Sequence, residues 1–157
     1  MSTYSNPPAN QITDPLPLFH AGPTMRIHVS LPEGVRSFYA EKNMPIPPPV
    51  EGTALIDTGA TRSAIDSSVV WALGLVPKTT VNIVGSTGVQ DQDGFAVRFV
   101  FPDFPYIPGQ ILQFDPEIVT ASPTLALCGL TALLGRDFLT HMILIYDGKA
   151  GRYTICF

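Results

Sequence analysis

Charge is scarce in this chain. Asp, Glu, Lys and Arg together make up 14% of its residues, against roughly a quarter in ordinary soluble domains. A surface this poor in charge often gives part of its area to a partner. The balance is nine basic against thirteen acidic residues, a net charge of −4, with no run of Lys or Arg. Without a basic face the chain is not expected to bind nucleic acid. Cysteine is almost missing: Cys128 and Cys156 are too few for a disulfide framework and fit no metal-ligand spacing. They read as two reduced, half-buried thiols, and no metal or other cofactor is expected. No stretch nears the roughly 18 apolar residues that span a bilayer. The opening "MSTYSNPPANQITDPLP" has neither the basic start nor the apolar run of a secretory signal. The expectation is a soluble, cytoplasmic protein with no membrane partner.

What is abundant is apolar residues and proline. Hydrophobic residues reach 45% of 157, enough for one domain with a real core, and there are sixteen prolines. Residues 1–23, rich in Pro, Asn and Ser, read as a flexible arm ordered only by a partner; residues 24–157 read as the domain. "TMRIHVSL" alternates Met25, Ile27, Val29 and Leu31 against Arg26, His28 and Ser30, the period of a half-buried strand. "PIPPPV" (residues 45–50) is a stiff connector that cannot lie inside a sheet. "DSSVVWALGL" reads as a short helix capped by Asp66 or Ser67 and ended by Gly74, with Trp71 in the core. "TTVNIV" and "GFAVRFVF" read as strands joined at "GSTG". In the second, Phe95, Val97, Phe99 and Phe101 share a face. "GQILQF", "TLALCG", "TALLG" and "MILIY" are further strand-like runs, and "DGKAG" is a turn. Residues 102–123 read as a Pro-rich insertion. The expected fold is mainly β, a small closed or folded-over barrel with one or two short helices and no strand-helix alternation of the kind a parallel sheet needs.

One stretch carries chemistry. In "TALIDTGATRSAI" an apolar run ends on Asp57, followed by Thr58 and Gly59. A strand end holds a carboxylate rigidly, and Gly59, lacking a Cβ, lets a ligand or another backbone approach closely. One carboxylate is a poor catalyst of peptide hydrolysis, but two sharing a proton divide the work. The ionised one takes a proton from the attacking water, and the protonated one polarises the carbonyl. Like charges about 3 Å apart cannot both ionise, which enforces the division.

These residues resemble the active-site loop of the aspartic proteases. "ALLGRDFL" (residues 132–139) resembles the second marker of the retroviral, retropepsin-like type: two apolar residues, then Gly135, Arg136 and Asp137. Between the markers, "NIVGSTGVQ" lies where that family has its flap hairpin. The resemblance covers residues 25–157 and implies an aspartic endopeptidase with Asp57, Thr58 and Gly59 at its catalytic centre. Thr58 would lock two loops together across a symmetry axis. Substrate contacts would come from Ala60, Thr61 and Arg62, from Val84, Gly85, Ser86, Thr87 and Gly88 in the flap, and from Leu133 and Leu134. Only one Asp-Thr-Gly is present, so the resemblance implies a homodimer with one Asp57 from each chain, acting on proteins or peptides. A terminal strand over residues 153–157 would suit an intersubunit sheet. Retroviral loops continue with acids that pair with the Arg of the second marker; here Thr61 and Arg62 follow, so Arg136 needs another partner, Asp137 or Asp66. Small polar residues there, and a helix after the loop, are more like the bacterial and eukaryotic relatives.

Rival readings are fewer. Asp57 as a plain turn residue leaves "ALLGRD" unexplained. The Asp-x-Gly-x-Thr phosphate loop of sugar kinases and actin-like ATPases also fits "DTGATRS", but that fold needs a far longer chain. A catalytically silent dimerisation or peptide-binding module of the same fold is the main alternative. His20, His28 and His141 are scattered and read as solvated or core-satisfied. Asp91, Asp93 and Asp103 read as loop charges. Val84, Ile65 and Leu133 suit either pocket or packing, and Gly85 and Gly88 suit either a plain turn or a flap.

Overall fold

A computed structural model describes residues 3–6, 16–85, 88–107 and 110–156. Its elements are β1 (Thr3–Asn6), α1 (Leu16–Ala21), β2 (Thr24–Ser30), α2 (Glu33–Glu41), β3 (Val50–Ile56), β4 (Ala64–Asp66), α3 (Ser67–Leu73), β5 (Thr79–Gly85) and β6 (Gly88–Phe95). Then follow β7 (Arg98–Ile107), β8 (Gln110–Phe114), β9 (Val119–Ser122), a 3₁₀ turn (Ala126–Cys128), β10 (Ala132–Leu134), α4 (Arg136–Leu139), β11 (Ile143–Asp147) and β12 (Arg152–Cys156). The fold is mainly β. Among the described residues, one sheet runs β5-β6-β9-β4-β10-β3-β2-β7-β8 and a second runs β1-β12-β11. The larger sheet ends on β5 and β8 in this order, and no described ladder joins them into a closed barrel.

The sheet is mixed, which the sequence pattern did not suggest. β10 runs parallel to β3 and β9 runs parallel to β4. The returns are made by long β-rich excursions, not by a helix after each strand, so the usual signature of parallel pairing is missing. β10 lies between β3 and β4, pairing Leu134 with Ile56 on one side and Ala132 with Ile65 on the other. The loop joining β3 to β4 must therefore pass over the end of β10. That crossing builds the site.

The core follows from alternation. Met25, Ile27 and Val29 of β2 are buried, as are Ala54 and Ile56 of β3. Phe95, Val97, Phe99 and Phe101 are all buried, but they do not belong to one strand. β6 stops at Phe95, which pairs with Val119 of β9, and β7 starts at Arg98, with Phe99 between β2 and β8 and Phe101 paired with β8. Residues 102–123 are not an insertion outside the sheet. They contain the end of β7 and all of β8 and β9. "TLALCG" forms the 3₁₀ turn in place of a strand, leaving Cys128 exposed while Cys156 is buried. Asp91, Asp93 and Asp103 sit on strands β6 and β7, and Asp103 pairs with Arg26 at 2.6 Å.

Within the segment read as an arm, Leu18 of α1 is buried and Thr3–Asn6 pairs with β12; residues 7–15 lie outside the described residues. β12 has β1 on one edge and β11 on the other, so both its edges are taken within the chain. The open edges of that sheet are β1 and β11, not the 153–156 strand. Helix α2 was not anticipated. Val35, Phe38 and Tyr39 recur at helical spacing in it, yet none is buried, and only Tyr39 packs in part against the core.

Helix α3 starts and stops as its residues dictate. Asp66 caps it by accepting from the Ser68 amide, and Gly74 ends it at φ 61°, a left-handed value that suits glycine. Val69 and Leu73, one turn apart, face the core. Trp71 lies about 200° round the helix from Val69 at 100° per residue. It is 84% exposed and is no part of the core.

Asp66 also accepts the Ala126 amide at 2.7 Å, tying the 3₁₀ turn to α3. Chiefly the hydrogen bonding from Ser68, aided by Ala126 and opposed by burial, holds its carboxyl below the usual carboxylate range. Asp66→Ala is expected to cost about 2 kcal/mol, since it orphans two amide donors. With its folded pKa depressed, the Asp66 contribution is full above the unfolded value of about 4 and fades as pH falls through the folded value. The stability gap between wild type and variant should stay flat near neutrality and close in acid. Urea unfolding at several pH values measures it.

Candidate active site

Asp57 follows directly on β3, half-buried, with Thr58 and Gly59 exposed in the turn after it. Three groups hold it. Its amide donates to the Leu134 carbonyl at 2.9 Å, continuing the β3–β10 pairing one residue past the strand. Its own carbonyl accepts the Ala60 amide at 3.3 Å, closing the turn. Its carboxylate Oδ1 accepts the Gly59 amide at 2.8 Å. No described residue donates to Oδ2, so that oxygen is left for a ligand, water or a second carboxylate.

The second motif grips this loop from below. The Arg136 guanidinium Nη1 donates to the carbonyls of Thr58 at 2.9 Å and Gly59 at 3.0 Å, while Nη2 donates to Thr61 Oγ1 at 2.7 Å. The Arg136 amide donates to the Ala60 carbonyl and the Asp137 amide to that of Thr61. Four successive carbonyls, 58 to 61, are thus held by two adjacent residues. Arg136 pairs with neither Asp137 nor Asp66. Asp66 is occupied at the start of α3, and Asp137 turns the other way, accepting the Ser63 amide at 2.9 Å and the Ser63 hydroxyl at 2.8 Å. With no acid at positions 61 and 62, the guanidinium satisfies itself on two backbone oxygens and the Thr61 hydroxyl.

Ser63 is fully buried and was not singled out from the sequence. Its hydroxyl donates to Asp137 and accepts the Gly135 amide at 3.1 Å, so one oxygen links the two motifs. Only its place six residues after Asp57 could have flagged it. Ser63→Ala should cost about 1–3 kcal/mol by leaving the Gly135 amide and a carboxylate oxygen without their partner. Thermal unfolding checks this.

The other expected residues divide by position. Ala60 is half-buried, Thr61 and Arg62 are exposed, and Leu133 is half-buried. Leu134 and Ile65 are fully buried, so their side chains pack the core, and Leu134 serves the site through its carbonyl. Val84, Gly85 and Gly88 lie in the β5–β6 hairpin, whose last pairs are Val84 with Val89 and Gly85 with Gly88. Gly88 has φ 111°, which a side-chain-bearing residue rarely adopts. Ser86 and Thr87 lie outside the described residues. His28 is half-buried, 3.9 Å from Glu51, and His141 rests against the Phe114 ring. No group of three His, Cys, Asp or Glu among the described residues is placed to hold a metal ion. No helix among them is long and apolar enough to cross a membrane.

No family model and no curated protein matches the chain. Among solved structures it is similar to the solution structure of the protease of simian foamy virus (mac), with a TM-score of 0.42 and 17% identity. That alignment covers 75% of this chain and 92% of the viral one.

Proposed function

We propose that the chain is an aspartic endopeptidase of the retropepsin-like type, working as a homodimer. The observation that carries this is the setting of Asp57. It is a half-exposed carboxylate at a strand end, with its amide, carbonyl and one oxygen each tied down and the other oxygen free of any donor among the described residues. Such pre-orientation serves proton transfer, which needs a group held within hydrogen-bond reach of its target. A lone carboxylate lacks its complement, and the sequence contains no second Asp-Thr-Gly. A second copy related by a two-fold axis supplies it, with Thr58 of each chain bracing the pair. One Asp57 then takes the proton of a water as that water attacks the peptide carbonyl. The other, protonated, donates to the carbonyl oxygen, and the tetrahedral adduct collapses as the amine leaves with a proton. No metal or cofactor is required.

The β5–β6 hairpin supports the role of a flap. It pairs continuously from Thr79 and Gly94 out to Gly85 and Gly88 at its far end. An extended peptide between hairpin and Asp57 loop would bind by strand-like main-chain hydrogen bonds. The test is a peptide library digested from about pH 3 to 7 and read by mass spectrometry, with Asp57→Asn alongside, and sedimentation of the same sample. Internal cuts with an acidic optimum, made by a dimer and absent from the variant, are expected. A dimer that binds peptides and cuts none would leave the silent peptide-binding module.

A further inference from the structure

We propose that the exposed proline segment of residues 45–49 is a docking ligand, taken by a partner protein whose apolar groove is lined with aromatic rings and shaped for a polyproline II helix. The surface lies away from Asp57, and the inference does not depend on the peptidase reading.

The conformation is set locally. Residues 45–49 read Pro-Ile-Pro-Pro-Pro. Each proline ring holds its own φ at about −65°. Met44, Ile46, Pro47 and Pro48 each precede a proline, which pushes them out of the helical region to extended ψ. These are the angles of polyproline II, and the segment lies in neither helix nor strand. The four prolines have no amide hydrogen, so the segment cannot add itself to a sheet as a strand. What it offers a partner is ring faces and carbonyls, which is what aromatic-lined grooves take.

The fold decides which faces are offered. With about three residues per turn, a polyproline II helix has three edges. The edge of Pro47 and Val50 is half-buried, and Val50 packs against the core, while Met44 at the start of that edge is exposed. On the other two edges Pro45, Pro48, Ile46 and Pro49 are all exposed. Two adjacent edges thus face outward and the third is turned to the domain. Both ends are fixed. The Met44 amide donates to the Tyr39 carbonyl at 2.8 Å, and Val50 pairs with Val29 of β2. A partner therefore meets a ligand already ordered, which removes part of the entropy cost of binding.

Lys42 stands three residues before Pro45, but the chain turns between them, with Asn43 at φ 52°, and the Lys42 ammonium lies 3.6 Å from Glu41. It is off the line of the segment, so recognition rests on the prolines and Ile46. Val50 opens β3 and Ile56 closes it. At about 3.3 Å per residue, a partner on the segment sits about 20 Å from Asp57.

The experiment titrates the full chain into a panel of isolated, isotope-labelled SH3 and WW domains, followed by NMR. A synthetic peptide of residues 42–50, the double variant Pro45→Ala/Pro48→Ala and the variant Lys42→Gln are run alongside. At least one domain should bind the chain through its groove aromatics, at least as tightly as it binds the peptide. The double variant should weaken that binding at least about tenfold. Its thermal unfolding should match wild type, because both side chains are exposed. Lys42→Gln and high salt should leave the binding unchanged. The inference is overturned if no domain binds the chain, or if binding survives the double variant. It is also overturned if a domain takes the peptide and refuses the chain, since the edges would then be closed in the fold. Binding lost in Lys42→Gln and in high salt would be a charge contact and would overturn it too.

Discussion

Asp57→Asn is expected to lower kcat/KM for peptide cleavage by at least about 10³-fold while leaving the fold in place. The two halves of that expectation have separate causes. Among the described residues the Asp57 side chain accepts one hydrogen bond, from the Gly59 amide. An asparagine oxygen can accept the same bond, and the residue is half-exposed, so the stability change should stay within about 1 kcal/mol. Chemistry is another matter. An amide can neither take a proton from water nor share one with a second carboxylate, and in a homodimer one substitution removes both groups. Kinetics and thermal unfolding on one preparation separate loss of chemistry from loss of fold. A folded, dimeric variant that keeps its rate would move the reacting group away from Asp57.

Gly135→Ala is expected to cost more than about 3 kcal/mol, or to prevent folding, at a position that touches no substrate. Backbone conformation is not the reason. Gly135 has φ −88° and ψ −168°, which alanine adopts freely. The reason is the loop crossing above it. A Cβ there would lie 2.6 Å from the Arg62 carbonyl carbon, 2.7 Å from its oxygen and 3.0 Å from the Ser63 nitrogen. These are main-chain atoms and cannot rotate aside. Relief requires lifting the loop, which strains the contacts of carbonyls 58–61 with Arg136 and Asp137 and the Ser63–Asp137 link. Gly34 is the control: it lies in α2 and an added Cβ would meet nothing within 4 Å. Gly34→Ala should be neutral or stabilise by about 0.5–1 kcal/mol, because alanine suits a helix better. Urea unfolding of the two variants should therefore give opposite signs. Similar values would mean that the loop does not rest on Gly135 as tightly as it lies in this fold.

Legibility followed the range of the forces involved. The β2 alternation and the α3 caps were readable because each is settled by neighbours in sequence: side-chain parity, an Asp at one end and a glycine at the other. The placement of Asp57 at a strand end was readable for the same reason. Trp71 was misplaced because helical spacing alone does not say which face is covered. That depends on the strands beneath Val69 and Leu73. "GFAVRFVF" was read as one strand because its apolar period is unbroken, yet β6 and β7 take different partners and the chain bends between them.

By itself, then, the sequence determined a mainly β domain with little charge and one carboxylate presented on a Thr-Gly turn, since local geometry and composition suffice for these. Only the tertiary structure decided that β10 slots between β3 and β4, parallel to the first and antiparallel to the second, and three consequences follow from that insertion. It forces the Asp57 loop to cross over Gly135. It brings Arg136, 79 positions beyond Asp57 in the chain, up against the loop carbonyls. It leaves Arg62 without a side-chain partner among the described residues, while Ser63, unnoticed in the sequence, ties the motifs together. Hydrogen bonds between residues so far apart along the chain have no signature in any short window, because the partner of each polar group is chosen by the strand order and not by its neighbours.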